Sequence, residues 1–313
     1  MNLRGFKEKV KEFFIYLEVE KNVSPNTLRA YKGDLKQMTE FWERIIKKEP
    51  KLADSIDQVL RRFVHSLYFK KISKSSLARK FSCLRSLAHF LKGEGIIVPI
   101  NFKSPRLNRK LPSILTVDEI FYLLDRIKES DLPTRFPCRD KAVFELMYAT
   151  GVRCAELVSI RFQDIDFENK SIVVFGKGRK SRIVLFGSKA KKVLNRYVKE
   201  ERPFLAQESK KKEEYLFLNY SGGKLTTRSV QRIFQMFRKF LKLGRDLTPH
   251  KIRHSFATHM LNQGVDLRVV QELLGHKTLA TTQIYTQVSS AELAKMCDEK
   301  HPLNELDNLV LDD

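Results

Sequence analysis

Residues 248–261 read TPHKIRHSFATHML, and residues 273–288 read LLGHKTLATTQIYTQV. In the first segment Thr248 is a helix cap and Pro249 a first-turn proline, a position where the missing N–H would have had no intrahelical partner. A helix starting there puts His250 and Arg253, three residues apart, on one side. In the second segment a short apolar helix end stops at Gly275, and His276 follows at once. Tyr285 stands nine residues further on, among small polar residues. A lone aromatic of this kind is by default half-buried packing, so its meaning depends on the rest of the chain.

The chain has 313 residues and 42% hydrophobic content, which predicts two domains, each with a real core. No apolar run reaches the length that spans a bilayer, and the N-terminal MNLRGFKEKVKEFF is too charged for a secretory signal. The four cysteines, Cys83, Cys138, Cys154 and Cys297, have no C-x-x-C spacing. That pattern fits a reduced, cytoplasmic protein and argues against a disulfide framework or a cysteine zinc site. His250 and His254 have the i,i+4 spacing of a zinc pair, but no H-E-x-x-H pattern and no cysteine completes it, so no metal is expected. The charge says more. Fifty-nine Lys and Arg against 37 Asp and Glu give +22, well beyond what solubility needs, and point to a polyanion. Arg61 to Lys110 carries thirteen basic residues and one acid, Glu94, whereas the last sixteen residues carry six acids and one lysine. A charge run is usually only a solvated face; an excess over the whole chain favours nucleic acid as the partner.

The first hundred residues read as helices. Ser24 caps a run in which Leu28, Tyr31, Leu35, Met38 and Trp42 recur every three to four residues, with Arg29, Lys32 and Lys36 on another face. The same design recurs from Lys71 to Leu91, with Leu77, Phe81, Leu84, Leu87 and Leu91 apolar and Lys71, Lys74, Arg79, Lys80 and Arg85 basic. Such faces suit a major groove and its phosphates, and either one alone could equally be an ordinary lysine-rich surface. Residues 101–112, NFKSPRLNRKLP, are basic, prolyl and aperiodic, which predicts a linker between a domain at 1–100 and another at 113–313. Thr116 and Glu119 form a capping box that opens the second domain. Alternation around Asp164–Phe167, then SIVVF, a GKGRK turn and SRIVLF, predicts a three-stranded antiparallel meander. The fold class expected is therefore mainly α with one small antiparallel sheet.

Arg153 and Glu156 are three apart after the break at Gly151, Lys177 sits between glycines at the meander tip, and His250, Arg253, His276 and Tyr285 follow. Each has a plain reading: a surface ion pair, a solvated turn lysine, packing histidines. The GKG turn is far short of a phosphate-binding P-loop. Together, two arginines, a lysine and two histidines make a dense set of donors for a phosphate, and the arginine fork suits phosphoryl oxygens. A tyrosine hydroxyl, of which only roughly one in a thousand is ionised at neutral pH, becomes a nucleophile where cations lower the cost of the phenolate.

Arg153, Lys177, H-x-x-R at 250–253, LGH at 274–276 and Tyr285, in that order, resemble the tyrosine site-specific recombinases. TPHKIRHSFATHML and LRVVQELLGHKTLATTQIY resemble the XerC/XerD branch, and the likeness covers nearly the whole chain. The resemblance implies a helical core-binding domain, a linker and a catalytic domain that close on DNA as a C-shaped clamp. It implies that Tyr285 attacks a scissile phosphate to form a 3′-phosphotyrosyl ester and release a 5′-hydroxyl. Arg153, Arg253 and His276 would hold the non-bridging oxygens, Lys177 would protonate the leaving oxygen, and His250 would be a hydrogen-bonding acid/base partner. Glu156 would orient the arginine and histidine groups from behind. Arg29, Lys32, Lys36, Lys74, Arg79 and Lys80 would contact DNA. No cofactor, nucleotide or metal is called for, since the phosphotyrosine keeps the bond energy. The implied partners are double-stranded DNA with an inverted-repeat site, further copies or a paralogue in a tetramer joined through the C-terminal helix, and a DNA translocase as activator. The implied location is the cytoplasm, at the nucleoid, with no membrane partner. The implied role is recombination through a Holliday junction in chromosome dimer resolution. The long acidic tail after His301–Pro302 departs from the Xer pattern. The absence of a further arm-binding domain favours a simple recombinase over a large phage integrase. Three other readings stay open here: a type IB topoisomerase-like relaxing enzyme, a mobile-element integrase of the same fold, and a DNA-binding regulator without catalysis.

Overall fold

The computed structural model describes residues 1–49, 55–70, 72–100, 102–105, 114–176, 181–209, 214–244 and 246–275. The chain divides into two compact units, Met1–Lys110 and Leu111–Asp313. The architecture is mainly helical with one three-stranded antiparallel sheet.

The first unit is built on four helices, α1 (Leu3–Val19), α2 (Pro25–Lys48), α3 (Ile56–Phe69) and α4 (Lys74–Gly93). Each starts at a side-chain cap: Asn2, Ser24, Ser55 and Ser73 accept from the backbone N–H three residues on. This satisfies donors that the helix itself leaves free. The apolar faces meet in one core, with Phe6, Phe13, Leu35, Met38, Trp42, Phe63, Phe81 and Leu91 all buried. Phe6 packs on Trp42 with ring centroids 5.1 Å apart.

Arg29, Lys32, Lys36 and Lys74 lie on the exposed faces of α2 and α4. Lys80 does not, and this corrects its assignment to the DNA-contacting face. It is 5% exposed. Its Nζ donates to Asp34 Oδ1 at 2.8 Å and to Gln37 Oε1 at 2.7 Å. Asp34 is itself buried on α2 and also binds the Arg79 guanidinium, which reaches the Ala30 carbonyl as well. The cause is position. Lys80 lies between the apolar rows of α4, so its ammonium enters the α2–α4 seam and needs a buried carboxylate there.

In the second unit, α6 (Pro137–Thr150) is the axis. Every residue from Cys138 to Thr150 is buried, so this helix has no amphipathic pattern. The helices α8 (Ser188–Glu200), α10 (Thr227–Phe240) and α11 (Pro249–Asn262) pack around it. Phe144 lies 5.0 Å from Phe234 and 5.4 Å from Phe237 of α10. Tyr148 Oη bonds His259 Nδ1 of α11 at 2.9 Å. Thr116 and Glu119 form the expected capping box at the start of α5 (Val117–Phe121). The sheet runs β1 (Ile165–Asp166), β2 (Ser171–Phe175), β3 (Ser181–Leu185) in that order, antiparallel throughout. Its register pairs Ile172 with Val184 and Val174 with Arg182. Among the described residues no helix is long and apolar enough to cross a membrane.

Candidate active site

Five segments of the second unit converge here. The helix α6 ends at Gly151, whose φ of 59° is left-handed. A Cβ at Gly151 would meet Phe256 Cδ1 at 2.5 Å and Leu274 Cδ2 at 2.8 Å, so only glycine lets α6 end against α11 and α12 (Leu267–Leu274). Arg153 stands two residues on, as the cap residue of the short helix α7 (Cys154–Leu157). Glu156 lies one turn on, 5% exposed. The strand β3 supplies Arg182, and α11, capped by Thr248, supplies His250 and Arg253. The end of α12 supplies backbone carbonyls.

Glu156 is the hub. Its Oε2 accepts from Arg153 N at 2.8 Å and from Arg182 Nη2 at 2.9 Å. Its Oε1 accepts from Arg153 Nη1 at 2.8 Å and from Arg182 Nη1 at 3.0 Å. Burial would raise this carboxyl, but the hydrogen bonds from Arg182 and Arg153 outweigh it and hold the group at about 2. Among the described residues its partners are two arginines, where the resemblance implied the arginine and histidine groups together.

The three arginines also divide the end of α12 between them. Arg182 Nε donates to the Leu273 carbonyl at 3.1 Å, Arg253 Nη2 to that of Leu274 at 2.6 Å, and Arg153 Nη2 to that of Gly275 at 3.1 Å. Arg253 Nη1 also donates to the Gly151 carbonyl at 2.6 Å. The last carbonyls of a helix have no partner within it and carry its negative dipole end, so they attract cations. Gly275, with φ of 63°, closes α12, and a Cβ there would press on Arg182 Nη1 at 3.1 Å.

Arg253 is 7% exposed. Burial, with Arg153 close by, lowers it to about 10, so it stays charged at neutral pH. Three guanidinium groups against one carboxylate leave the cluster with two net positive charges. Arg153 and Arg253 line an open cleft of about 600 Å³ together with His250, Thr248, Gln231 and Gln235. Arginine has five N–H donors, so both arginines keep donors beyond those fixed on protein oxygens. The arrangement can grip a phosphate on a rigid, positively charged floor.

The structure thus brings Arg153, Glu156, His250 and Arg253 together. Lys177, His276 and Tyr285 lie outside the described residues, as does the C-terminal segment through which protomers are expected to join. Arg182 is the residue that sequence reasoning missed. Its signal was present: along β3 the inward positions run Arg182, Val184, Phe186, and Val184 and Phe186 are almost fully buried. An arginine on the inward side of a strand requires a carboxylate partner.

Residues 113–292 match the family model described as phage integrase family, and residues 10–95 match that of the phage integrase N-terminal SAM-like domain. The chain is 40% identical to tyrosine recombinase XerC of Oceanobacillus iheyensis over 299 residues, covering 94% of this chain and 95% of that one. It is 37% identical to tyrosine recombinase XerD of the same organism, covering 94% and 98%. Among solved structures it is similar to XerH site-specific recombinase bound to its difH substrate in a pre-cleavage complex. That match has 26% identity, a TM-score of 0.67, and coverage of 85% of this chain and 78% of that one.

Proposed function

Because this chain belongs to the phage integrase family and is a site-specific tyrosine recombinase, we propose that it cuts DNA with Tyr285 at the arginine cluster described above. The observation that carries this reading is the pair Arg153 and Arg253. Both are fixed from behind by Glu156 or by backbone carbonyls, both face one cleft with His250, and the α12 end they grip leads directly into His276.

In the proposed reaction Tyr285 Oη attacks the scissile phosphorus and its proton passes to a neighbouring base, for which His250 is the candidate. The bond from phosphorus to the 5′-oxygen breaks. Lys177 gives that oxygen a proton, leaving a 5′-hydroxyl and a 3′-phosphotyrosyl ester. Arg153, Arg253 and His276 hold the non-bridging oxygens, where charge builds in the transition state. A 5′-hydroxyl from another strand then reverses the chemistry. Ester exchanges for ester, so no nucleotide is consumed.

The proposal extends to the domains and the assembly. Residues 1–100 would grip the duplex through Arg29, Lys32, Lys36, Lys74 and Arg79, with 101–112 as linker and 113–313 as catalytic domain. Four protomers, of this chain alone or with a paralogue, would exchange C-terminal helices on paired inverted-repeat sites. The similarity to XerC and XerD supports chromosome dimer resolution as the role, and a DNA translocase would act as activator.

The test is covalent capture. The purified protein is incubated with fragmented genomic DNA from its own source and denatured in SDS, and protein-linked DNA is sequenced, with Tyr285→Phe as control. Adducts that require Tyr285 and map to one inverted-repeat site are expected. Scattered adducts would instead indicate a topoisomerase-like enzyme, and bound DNA without adducts a non-catalytic regulator.

A further inference from the structure

Arg182 is 16% exposed, and each of its three nitrogens has a protein acceptor: Nη1 and Nη2 on Glu156, Nε on the Leu273 carbonyl. Mostly buried and not among the residues that line the cleft, this guanidinium is not placed to bind substrate itself. Glu156, which it grips with a two-pronged fork, is the same carboxylate that holds both the backbone N–H and the side chain of Arg153. Without Arg182, Glu156 would be a nearly buried carboxylate facing one half-exposed arginine, and would draw Arg153 down onto itself. With Arg182, half of the carboxylate's hydrogen bonding is spent elsewhere, and Arg153 keeps donors for the cleft.

From this geometry we infer that Arg182 is a positioning residue for DNA cleavage, acting through Glu156 to set the reach of Arg153 toward a non-bridging oxygen of the scissile phosphate. The inference rests on the proposed role of Arg153. The strand that carries Arg182 pairs antiparallel with β2, and Lys177 lies between the two in the sequence.

The experiment uses the full chain and the duplex site recovered by covalent capture with the wild type. The duplex is made twice, once with the natural phosphate at the cleavage position and once with a methylphosphonate. The methylphosphonate lacks one charged non-bridging oxygen and so has less need of a cation in the transition state. Adduct formation is timed for wild type, Arg182→Ala and Arg182→Lys, with DNA affinity and thermal melting measured alongside. On the natural phosphate both variants should lose roughly a hundredfold in rate, the typical effect of one misplaced preorganised donor. Lysine fails with alanine because it cannot form the fork. On the methylphosphonate both variants should stay close to wild type. Equal losses on both substrates would overturn the inference and leave Arg182 as a scaffold residue, and full activity on the natural phosphate would overturn it too. If Arg182→Ala does not fold, Arg182→Lys gives the same comparison between substrates. A wild type that forms no adduct would refute the proposed chemistry itself, separately from the role of Arg182.

Discussion

Replacing Glu156 with Gln tests how strongly the cluster is held. The side chain keeps its shape but loses its charge, and its NH₂ must point at a guanidinium where an oxygen used to accept. The carboxyl is held at about 2 against an ordinary 4.5. At about 1.4 kcal/mol per tenfold change in proton affinity, that difference is worth about 3 kcal/mol of folding free energy at neutral pH. Breaking a buried ion pair from one side gives a similar figure, ~3–5 kcal/mol. Because the folded-state value is depressed, the contribution is fully present above about 4.5 and is lost as pH falls through about 2. The gap between wild type and Glu156→Gln should therefore be about 3 kcal/mol at pH 7 and shrink by roughly half at pH 3. Urea titration of the full chain at several pH values measures it, and in a unit of this size melting should fall by about 6–12 °C at pH 7. A gap below about 1 kcal/mol at pH 7, the range of a surface pair, would refute the reasoning. So would a gap that does not narrow in acid.

Other substitutions separate holding from gripping. Arg253→Lys cannot bridge the Gly151 and Leu274 carbonyls and still face the cleft, so cleavage should fall on the order of a hundred- to a thousandfold while DNA affinity changes little; single-turnover adduct assays and binding titrations check both. Gly151→Ala combines a positive φ with a Cβ 2.5 Å from Phe256 and should cost about 1–3 kcal/mol by urea titration, possession of an intact catalytic set notwithstanding. Lys80→Ala should cost about 3 kcal/mol by leaving Asp34 short of a partner, with no change in the salt dependence of DNA binding. Lys32→Ala and Lys36→Ala should do the opposite, leaving stability intact and lowering the slope of log affinity against log salt by about one each.

The sequence made some of these features legible and hid others, for physical reasons. The faces of α2 and α4 were plain because a helix buried on one side must repeat its apolar residues at 3.6. Leu35, Met38, Trp42, Leu77, Phe81 and Leu84 are all buried. The hairpin and the caps at Ser24, Thr116 and Thr248 were equally readable, since each is a local rule. Lys80 was misread because its partner, Asp34, is 46 residues away, and periodicity cannot show a long-range ion pair. Arg182 was passed over because strand alternation described SRIVLF well enough without asking which side faced the core. Arg153, Glu156, His250 and Arg253 were found as a set, but spacing could not show that backbone carbonyls at 273–275 are what hold the arginines.

Those carbonyls have a consequence for how the chain tolerates change. What the three arginines read at the end of α12 is main chain, one oxygen for each of three consecutive residues. An exchange of side chain at Leu273 leaves every one of those oxygens in place. A single residue inserted or deleted within α12 does not, because it turns the helix end by about 100° and hands each arginine the wrong neighbour. The segment leading into His276 is thus specified by its count more than by its spelling.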